Sequence, residues 1–473
     1  MTISIVKTKE EIIKKFEEEF PYPAVSDDLI KTIEEKIGKR FFTNNIKSFI
    51  FEYPYIEKEW REIYSLLYCK TNYFKTNPYV FRIHMINKSI EHIDELDMSS
   101  YLGYITVRPL PTNYLSKIVM KPNKNFYDLN DNEKLFVITV NQEVHIGSKK
   151  IEFQAFPFFS QDAMVTVCAH ADVWMVSNIM HKRYGLDEIS IEKIVSKLPP
   201  SDRGRNIPSV GLTLEQLAYA LHANNWYARI RSRRLENNDL KKNKQKIMEI
   251  MQCIDSSIES GIPCILAFSN HVIVIAGHTL DENNNRAYII FDDSGAHIVH
   301  TFNESEPKFS IKVSVEQLME ILELQNGEEI AILCPEFERI YFPLESVQHN
   351  TESIIDGISK DATKTEGVRN AFADILKNKS YRILLADSKK LKEFFSKNNV
   401  TDFNNYSLSH YIWLVEIYSE KRGDPNDLKG YLLLDASAHK YDTKYCFINS
   451  SNGKEIIQPA PEGKVMSLLE EFD

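Results

Sequence analysis

The chain has 473 residues and a formal net charge of −10 at pH 7, from 57 Lys and Arg against 67 Asp and Glu. Hydrophobic residues make up 43% and charged residues 26%, which excludes collagen-like, low-complexity and wholly disordered chains. The length predicts roughly two to four domains with cores that need neither disulfides nor metals. Because phosphate binding needs a basic surface, the acidic balance argues against a nucleic-acid partner.

Residues 1–150 predict an α+β accessory module. The amino terminus is charged and amphipathic and has no apolar stretch with a cleavage site, so we expect a cytoplasmic protein without membrane contact. Apolar residues at helical spacing predict helices over the first ~40 residues and at 57–68. Alternating β-branched and aromatic residues predict strands at 79–86 and 101–111, and β character continues to about residue 159.

Residues 151–340 predict a central domain in which helices precede an antiparallel strand set. A helix over 168–185 ends at Gly185, the position where glycine is favoured after a basic last turn. Thr213 and Gln216 have the spacing of a capping box, which predicts the start of a second helix. The remaining elements are helices at 209–225 and 240–259 and strands at 263–269, 271–279, 286–293 and 328–334.

Residues 341–473 predict a second α+β accessory module, mostly helical over 352–400 and with strands over 408–460. A basic stretch runs from Arg229 to Lys246 in the central domain. Acidic residues interrupt it, so we interpret it as a solvated helix face rather than a binding surface.

Six cysteines are spread along the chain without a CxxC pair, which disfavours zinc knuckles and thioredoxin-type chemistry. They are Cys69, Cys168, Cys253, Cys264, Cys334 and Cys446. In a reducing compartment we expect free thiols, most of them buried. Cys168 opens the predicted helix, where unpaired N–H groups and the helix dipole favour the reactive thiolate.

A thiolate nucleophile needs a base, and the base needs a group that orients it. His271 opens an apolar strand, and Asp292 ends the strand that follows. In a hairpin the start of one strand lies beside the end of the other. We therefore expect the carboxylate to fix the imidazole tautomer and to favour the imidazolium.

Three neighbours compete for these roles. Asp293 adjoins Asp292 and faces the opposite way in an extended strand, so the choice between them stays open, with Asp292 favoured. His278 lies seven positions after His271 on the opposite strand face and is the less favoured base. His170 lies on a different helix face from the cysteine and is more typical of a core residue.

Gln161 lies on the loop into the predicted helix, seven residues before Cys168. Attack on a carbonyl creates an oxyanion, and we predict that the Gln161 carboxamide and the Cys168 backbone N–H stabilise it. A solvated loop glutamine is the alternative interpretation. The sequence lacks an HExxH motif, a Walker A motif and a GxGxxG that follows a strand, so we expect neither a metal nor another cofactor.

The central domain resembles the papain-like cysteine peptidase fold, and within it the peptidase C39-like group. The resemblance lies in FPFFSQDAMVTVCAHADVWM, in PSVGLTLEQLAYAL, and in ESGIPCILAFSNHVIVIAGHT with YIIFDDSG. These proteins share a loop glutamine, a cysteine that opens a helix, a histidine that opens a strand and an aspartate near a strand end. Two departures are Ala169, where many members have glycine, and Asp293, where C39-like proteins often have proline.

The resemblance covers about 151–340 and implies an α+β papain-like core, with the nucleophile helix packed on an antiparallel sheet. It also implies amide-bond cleavage through a thioester, with Cys168 as nucleophile, His271 as base, Asp292 as orienting group and Gln161 in the oxyanion hole. We expect a peptide or protein substrate, and a regulatory protein partner because flanking modules often gate intracellular proteases. A catalytically silent interaction module and a transglutaminase-like acyl transferase are the alternatives.

Overall fold

The computed structural model describes residues 2–19, 26–72, 76–199, 204–222, 226–237, 239–283, 285–325, 327–397, 407–419, 427–438 and 445–449. The fold is α+β, with antiparallel sheets and helices, which is the predicted class. The chain divides into two compact units, one of residues 1–250 and 262–335 and the other of residues 251–261 and 336–473. The three modules predicted from the sequence stay a prediction.

The larger unit begins with a seven-stranded sheet in the order β1-β2-β3-β4-β5-β8-β7. Its strands are β1 Thr2–Val6, β2 Ser48–Tyr55, β3 Val80–Ile86, β4 Tyr101–Val107, β5 Leu115–Met120, β7 Val140–Ile146 and β8 Lys149–Phe159. The helices of this region are α1 Lys9–Glu19, α2 Ser26–Ile37, α3 Lys39–Asn45 and α4 Lys58–Leu66. Buried and exposed residues alternate strictly along β7, so this edge strand turns one face to the core.

The second sheet of this unit has the order β13-β12-β11-β10-β14-β9, with β6 pairing β11 beside that path. Its strands are β6 Lys134–Val137, β9 Tyr227–Arg234, β10 Cys264–Phe268, β11 His271–Leu280, β12 Arg286–Phe291, β13 Ser310–Ser314 and β14 Glu329–Glu336. The helices are α5 Cys168–Tyr184, α6 Ile191–Lys197, α7 Leu214–His222, α9 Gly295–Phe302 and α10 Val315–Glu323, together with the first half of α8 Leu240–Glu259, whose second half belongs to the smaller unit. None of the helices in the described residues is apolar over the length that a bilayer crossing demands.

The β11–β12 hairpin has the arrangement that the sequence predicted. Val274 pairs with Phe291 and Leu280 with Arg286, so the head of β11 lies beside the end of β12. The pairing shifts register between Ile275 and Gly277. A Cβ on Gly277 would lie 2.3 Å from the backbone oxygen of Phe136, so only glycine allows β6 to approach β11 here.

Helix α5 lies in the core, and its buried residues come from every face of the helix. It packs against β11, β8 and α7, which positions its first turn beside the second sheet. Gly185 ends it at φ 68°, and the Gly185 N–H donates to the carbonyl of His181 at 2.8 Å. The predicted helix over 168–185 is confirmed, since left-handed glycine closes helices of this kind at little cost.

Helix α7 is shorter than predicted. The capping box is present, because the Gln216 N–H donates to Thr213 Oγ1 at 3.2 Å and the Thr213 N–H donates to Gln216 Oε1 at 3.0 Å. The helix therefore begins at Leu214 rather than at 209, and residues 223–225 of the predicted segment lie outside the described residues.

One other prediction is wrong. Arg229 to Arg234 lie on strand β9 and not on a helix, because basic residues alternate there with smaller residues in a strand period. The described part of 352–400 is mostly helical, as predicted, and it also contains strand β15 Tyr381–Asp387, whose alternate residues are buried.

The smaller unit contains a four-stranded antiparallel sheet in the order β15-β16-β17-β18, with β16 Tyr411–Tyr418, β17 Leu428–Asp435 and β18 Tyr445–Asn449. Its helices are α11 Leu344–Lys360, α12 Glu366–Asn378 and α13 Ser388–Lys397. Trp413 is buried on β16, and its indole N–H donates to the Phe342 carbonyl at 2.8 Å. The sequence assigned no chemistry to this unit, and Trp413 has a packing role there.

Candidate active site

The loop before α5 is held in one shape by Asp162. Its carboxylate accepts hydrogen bonds from the backbone N–H groups of Val165 at 3.1 Å and Thr166 at 2.7 Å. The Thr166 hydroxyl and the Tyr68 hydroxyl also donate to it, at 2.7 Å and 2.8 Å. Because Asp162 is buried and fully bonded, the loop delivers residue 168 to the helix start in a fixed orientation.

Cys168 is the first residue of α5 and is half-buried. The backbone N–H groups of Ala169 and Val272 act to lower the pKa of the thiol. Val272 follows His271 directly on β11, and helix α5 packs against this strand.

His271 contacts Asp292, the aspartate that the sequence favoured, and its catalytic role stays a prediction. His271 Nε2 lies 3.0 Å from Asp292 Oδ1, and the backbone N–H of Ser294 donates to the same oxygen at 2.7 Å. The other oxygen, Oδ2, lies 3.0 Å from Nδ1 of His297. Asp292 therefore lies between two imidazoles and is fully buried.

The electrostatics of this pair favour a charged carboxylate and a basic imidazole. Burial acts to raise the pKa of Asp292, but hydrogen bonds from His271 and His297 outweigh it and hold the pKa below its usual value. Burial acts to lower the pKa of His271, but the hydrogen bond to Asp292 and the charges of Asp292 and Asp293 raise it above 6.5.

The thiol behaves differently from what its place at a helix start predicts. Burial raises the pKa of Cys168 to about 12, and the nearby Asp293 and Asp172 carboxylates add to the effect. The N–H groups of Ala169 and Val272 act in the opposite direction and are outweighed. The prediction of a resting thiolate is therefore wrong for this state, because the argument from the helix dipole leaves out tertiary burial and charge.

Two buried carboxyl groups lie close to the thiol. Burial raises the pKa of Asp293 to about 7, with the charge of Asp292 adding to it. Asp172, one turn after Cys168 on α5, is fully buried, and burial and the two aspartates raise its pKa well above 3.8. Its carboxyl oxygens have no hydrogen-bond partner among the residues that the structure describes.

A buried ammonium faces these carboxyl groups. Lys36 at the end of α2 is buried, and burial lowers its pKa while Asp292 and Asp293 act against that shift. Its Nζ has no hydrogen-bond partner in the described part of the chain. The site thus carries three carboxyl groups and one lysine in a region of low dielectric constant.

Gln161 is held through its backbone. Its carbonyl accepts a hydrogen bond from Nη2 of the fully buried Arg108, which also donates to the Ser160 carbonyl at 3.1 Å. This fixes the backbone of the loop that carries the glutamine. The role of its carboxamide in an oxyanion hole stays a prediction, as do the catalytic roles of the other three residues.

The rival histidines lie elsewhere in the core. His278 is seven residues along β11 from His271, about 23 Å at the rise of a strand, and its ring lies 5.3 Å from that of Phe136. His170 is buried, and its Nδ1 accepts the Val167 N–H at 3.4 Å. Burial lowers the pKa of His170 to about 4, which suits the core role expected for it.

The sequence argument missed His297. It lies on α9, five residues after Asp292, and its ring centroid is 3.8 Å from that of His271. Ser294 caps this helix by accepting the His297 N–H at 3.4 Å. The signal was a serine cap three residues before a histidine, directly after the predicted strand. The donor atoms of the two histidines and Asp292 lie within 4.8 Å of one another, a separation that suits a metal ion.

No family model matches this chain, and no curated protein matches it in sequence. Among solved structures, the crystal structure of UfSP from C. elegans is similar to 38% of this chain, with 10% sequence identity and a TM-score of 0.25. The similar region spans 33% of that protein's chain. A similarity this weak gives no information about the chemistry of the site, which has to be inferred from the geometry of the site itself.

Proposed function

We propose that this protein is a cysteine peptidase or a related thiol amidase with a papain-like core, which cleaves amide bonds in peptides or proteins. The observation that carries the proposal is the 3.0 Å contact between His271 Nε2 and Asp292 Oδ1, at the head of strand β11, against which the helix that begins at Cys168 packs. A nucleophile, a base and an orienting carboxylate are the groups that thiol catalysis needs, and Cys168, His271 and Asp292 are the proposed three.

The tautomer follows from the contact with Asp292. With its Nε2–H donating to the carboxylate, neutral His271 presents Nδ1 as the proton acceptor. Because the pKa of Cys168 is about 12, the thiol is protonated at rest, and His271 removes the proton as the sulfur attacks. Activity should then require neutral His271 and rise with pH through the raised pKa of this histidine.

The reaction forms and breaks bonds in two stages. The Cys168 sulfur bonds to the amide carbon, its proton passes to His271 and then to the leaving amine, and the C–N bond breaks to leave a thioester. His271 next takes a proton from water, the hydroxyl oxygen bonds to the thioester carbon, and the sulfur leaves and regains the proton. The Gln161 carboxamide and the Cys168 N–H are the proposed donors to both oxyanions.

The experiment compares Cys168→Ala with Cys69→Ala in the full chain. Cys69 is an exposed free cysteine and is the matched control. Each protein is treated with a peptide library and with a thiol-directed electrophilic peptide, and new amino termini and labelled cysteines are read by mass spectrometry. We expect cleavage and labelling at Cys168 in the control and loss of both in Cys168→Ala.

Two results would contradict the proposal. Cleavage by Cys168→Ala at the wild-type rate would show that Cys168 is not the nucleophile. Wild-type protein that neither cleaves the peptides nor reacts with the electrophile would support the silent interaction module instead. Adding a primary amine separates the remaining alternative, because an acyl transferase yields a new amide where a hydrolase yields a free acid.

A further inference from the structure

The cluster of His271, Asp292 and His297 has the composition of a zinc site. It offers Nε2 of one imidazole, Nδ1 of the other and a carboxylate whose two oxygens lie 3.0 Å from those two nitrogens. All of the donor atoms lie within 4.8 Å of one another. Two histidines with one carboxylate are a ligand set that Zn²⁺ takes in proteins, with other positions left to water.

The spacing fits as well as the composition does. Donor atoms about 2.0–2.1 Å from a tetrahedral ion lie roughly 3.3 Å from one another. The two nitrogen–oxygen separations of 3.0 Å are close to this value, so small rotations of the side chains open the cluster to an ion.

We propose that His271, Asp292 and His297 bind Zn²⁺, and that zinc inhibits the enzyme by occupying its base. The inhibition rests on the function proposed above, whereas zinc binding does not depend on it. With zinc on Nε2, neutral His271 carries its proton on Nδ1. That nitrogen then cannot accept the proton of Cys168, and the thiol stays neutral.

The neighbours of the cluster suit metal binding. Thr301 Oγ1 lies 3.2 Å from Nε2 of His297, and it accepts the N–H when the metal takes Nδ1. The Ser294 N–H holds Asp292 at 2.7 Å. Partners of this kind orient ligands and fix the histidine tautomer.

The site is tested by titrating zinc into the metal-free full chain and measuring the heat of binding by calorimetry. Visible absorption of Co²⁺ in place of zinc reports the geometry. We expect one equivalent bound by wild type and by His300→Ala, an exposed histidine on the same helix. His297→Ala should weaken binding by more than about 100-fold, and Thr301→Val by about 10-fold.

The outcomes separate this proposal from the enzymatic one. Cys168→Ser should bind zinc as wild type does, so the site is testable even if the protein has no peptidase activity. Zinc should slow alkylation of Cys168 in wild type and His300→Ala but not in His297→Ala. Absence of a bound equivalent in wild type, equal binding by folded His297→Ala, or loss of binding in Cys168→Ser would overturn the site.

Discussion

Two histidines of the larger unit contact a carboxylate in nearly the same way, one in each sheet. His84 Nε2 on β3 lies 2.9 Å from Glu52 Oε2, and His271 Nε2 on β11 lies 3.0 Å from Asp292 Oδ1. Burial and the charge of Arg82 nevertheless lower the pKa of His84 to about 4, whereas the pKa of His271 is raised. The same contact therefore gives opposite titration behaviour.

The surroundings explain the difference. His84 is fully enclosed, its Nδ1 is bonded to the Tyr101 hydroxyl at 2.7 Å, and Arg82 binds the same carboxylate of Glu52. The cation repels an imidazolium, and burial penalises it further. His271 keeps some exposure and has the additional negative charge of Asp293 beside it. An imidazole–carboxylate contact becomes a base for neutral pH only in the second setting.

The most direct test of this difference is the same isosteric substitution of the carboxylate in both histidine–carboxylate pairs. Asp292→Asn removes the charge that orients His271, and a change of this kind in a catalytic triad costs about 10⁴-fold in kcat. Glu52→Gln should leave kcat within about threefold of wild type, because a substitution far from the reacting atoms alters stability rather than chemistry. Both are measured on a peptide that wild type cleaves, with a chelator present. Equal kcat values for Asp292→Asn and wild type would show that the Asp292 carboxylate has no role in catalysis.

The next effect is on folding stability at the buried pair. Arg82→Met leaves the Glu52 carboxylate buried without its cation, and breaking a buried pair costs about 3–5 kcal/mol. Arg40 pairs with Asp128 at 3.3 Å on the surface, and Arg40→Met should cost less than about 1 kcal/mol. Urea unfolding of the two variants measures both values. A similar loss in each would mean that the Glu52 cluster is solvated in solution.

The contact between His271 and Asp292 could be predicted from the sequence, because hairpin register follows from strand periodicity and turn position. The helix that begins at Cys168 could be predicted as well, since Gly185 and the basic last turn mark its end. Both inferences use contacts between segments that are close along the chain.

The sequence could not show whether the pKa of the Cys168 thiol is raised or lowered. That sign depends on Asp293 and on burial by distant segments, and the local helix argument points the other way. Lys36 lies far along the chain from the aspartates it faces, so no spacing rule connects them. Asp172 is visible one turn after Cys168, but sequence spacing alone does not show that its side chain is buried with no hydrogen-bond partner among the described residues.

The third prediction concerns how folding stability depends on pH at Asp293, the buried carboxyl group beside His271. Burial raises the pKa of Asp293 to about 7, so its protonated form stabilises the fold below the ordinary carboxyl pKa, and that stability is lost as pH rises towards 7. The free energy of unfolding of wild type should therefore fall relative to Asp293→Asn over this interval, by on the order of a few kcal/mol.

An exposed aspartate gives the control of opposite sign. Hydrogen bonds from Ser99 and Ser100 lower the pKa of Asp97 to about 2. Relative to Asp97→Asn, wild type should gain stability as pH rises from about 2 to 3.8 and keep it at higher pH. Urea unfolding from pH 2 to pH 8 measures both differences. Parallel curves for Asp293→Asn and wild type would show that the Asp293 carboxyl is hydrated.

The smallest effect concerns Asp172 and the reactivity of the thiol. The pKa of this carboxyl is raised by burial and by Asp293 and Asp292, so at low pH it is protonated and resembles an amide. As pH rises through its pKa, the carboxylate appears and opposes the Cys168 thiolate, which Asp172→Asn does not do. The variant should therefore react with wild-type kinetics at low pH. At high pH it should react up to about tenfold faster, which corresponds to a Cys168 pKa lower by about one unit.

Alkylation of Cys168 followed by mass spectrometry measures the ratio of the two rates, with the exposed Glu192→Gln as control. A ratio that stays constant with pH in a folded variant would mean that Asp172 and the sulfur do not share an electrostatic environment, and the slow resting thiol would then result from burial alone.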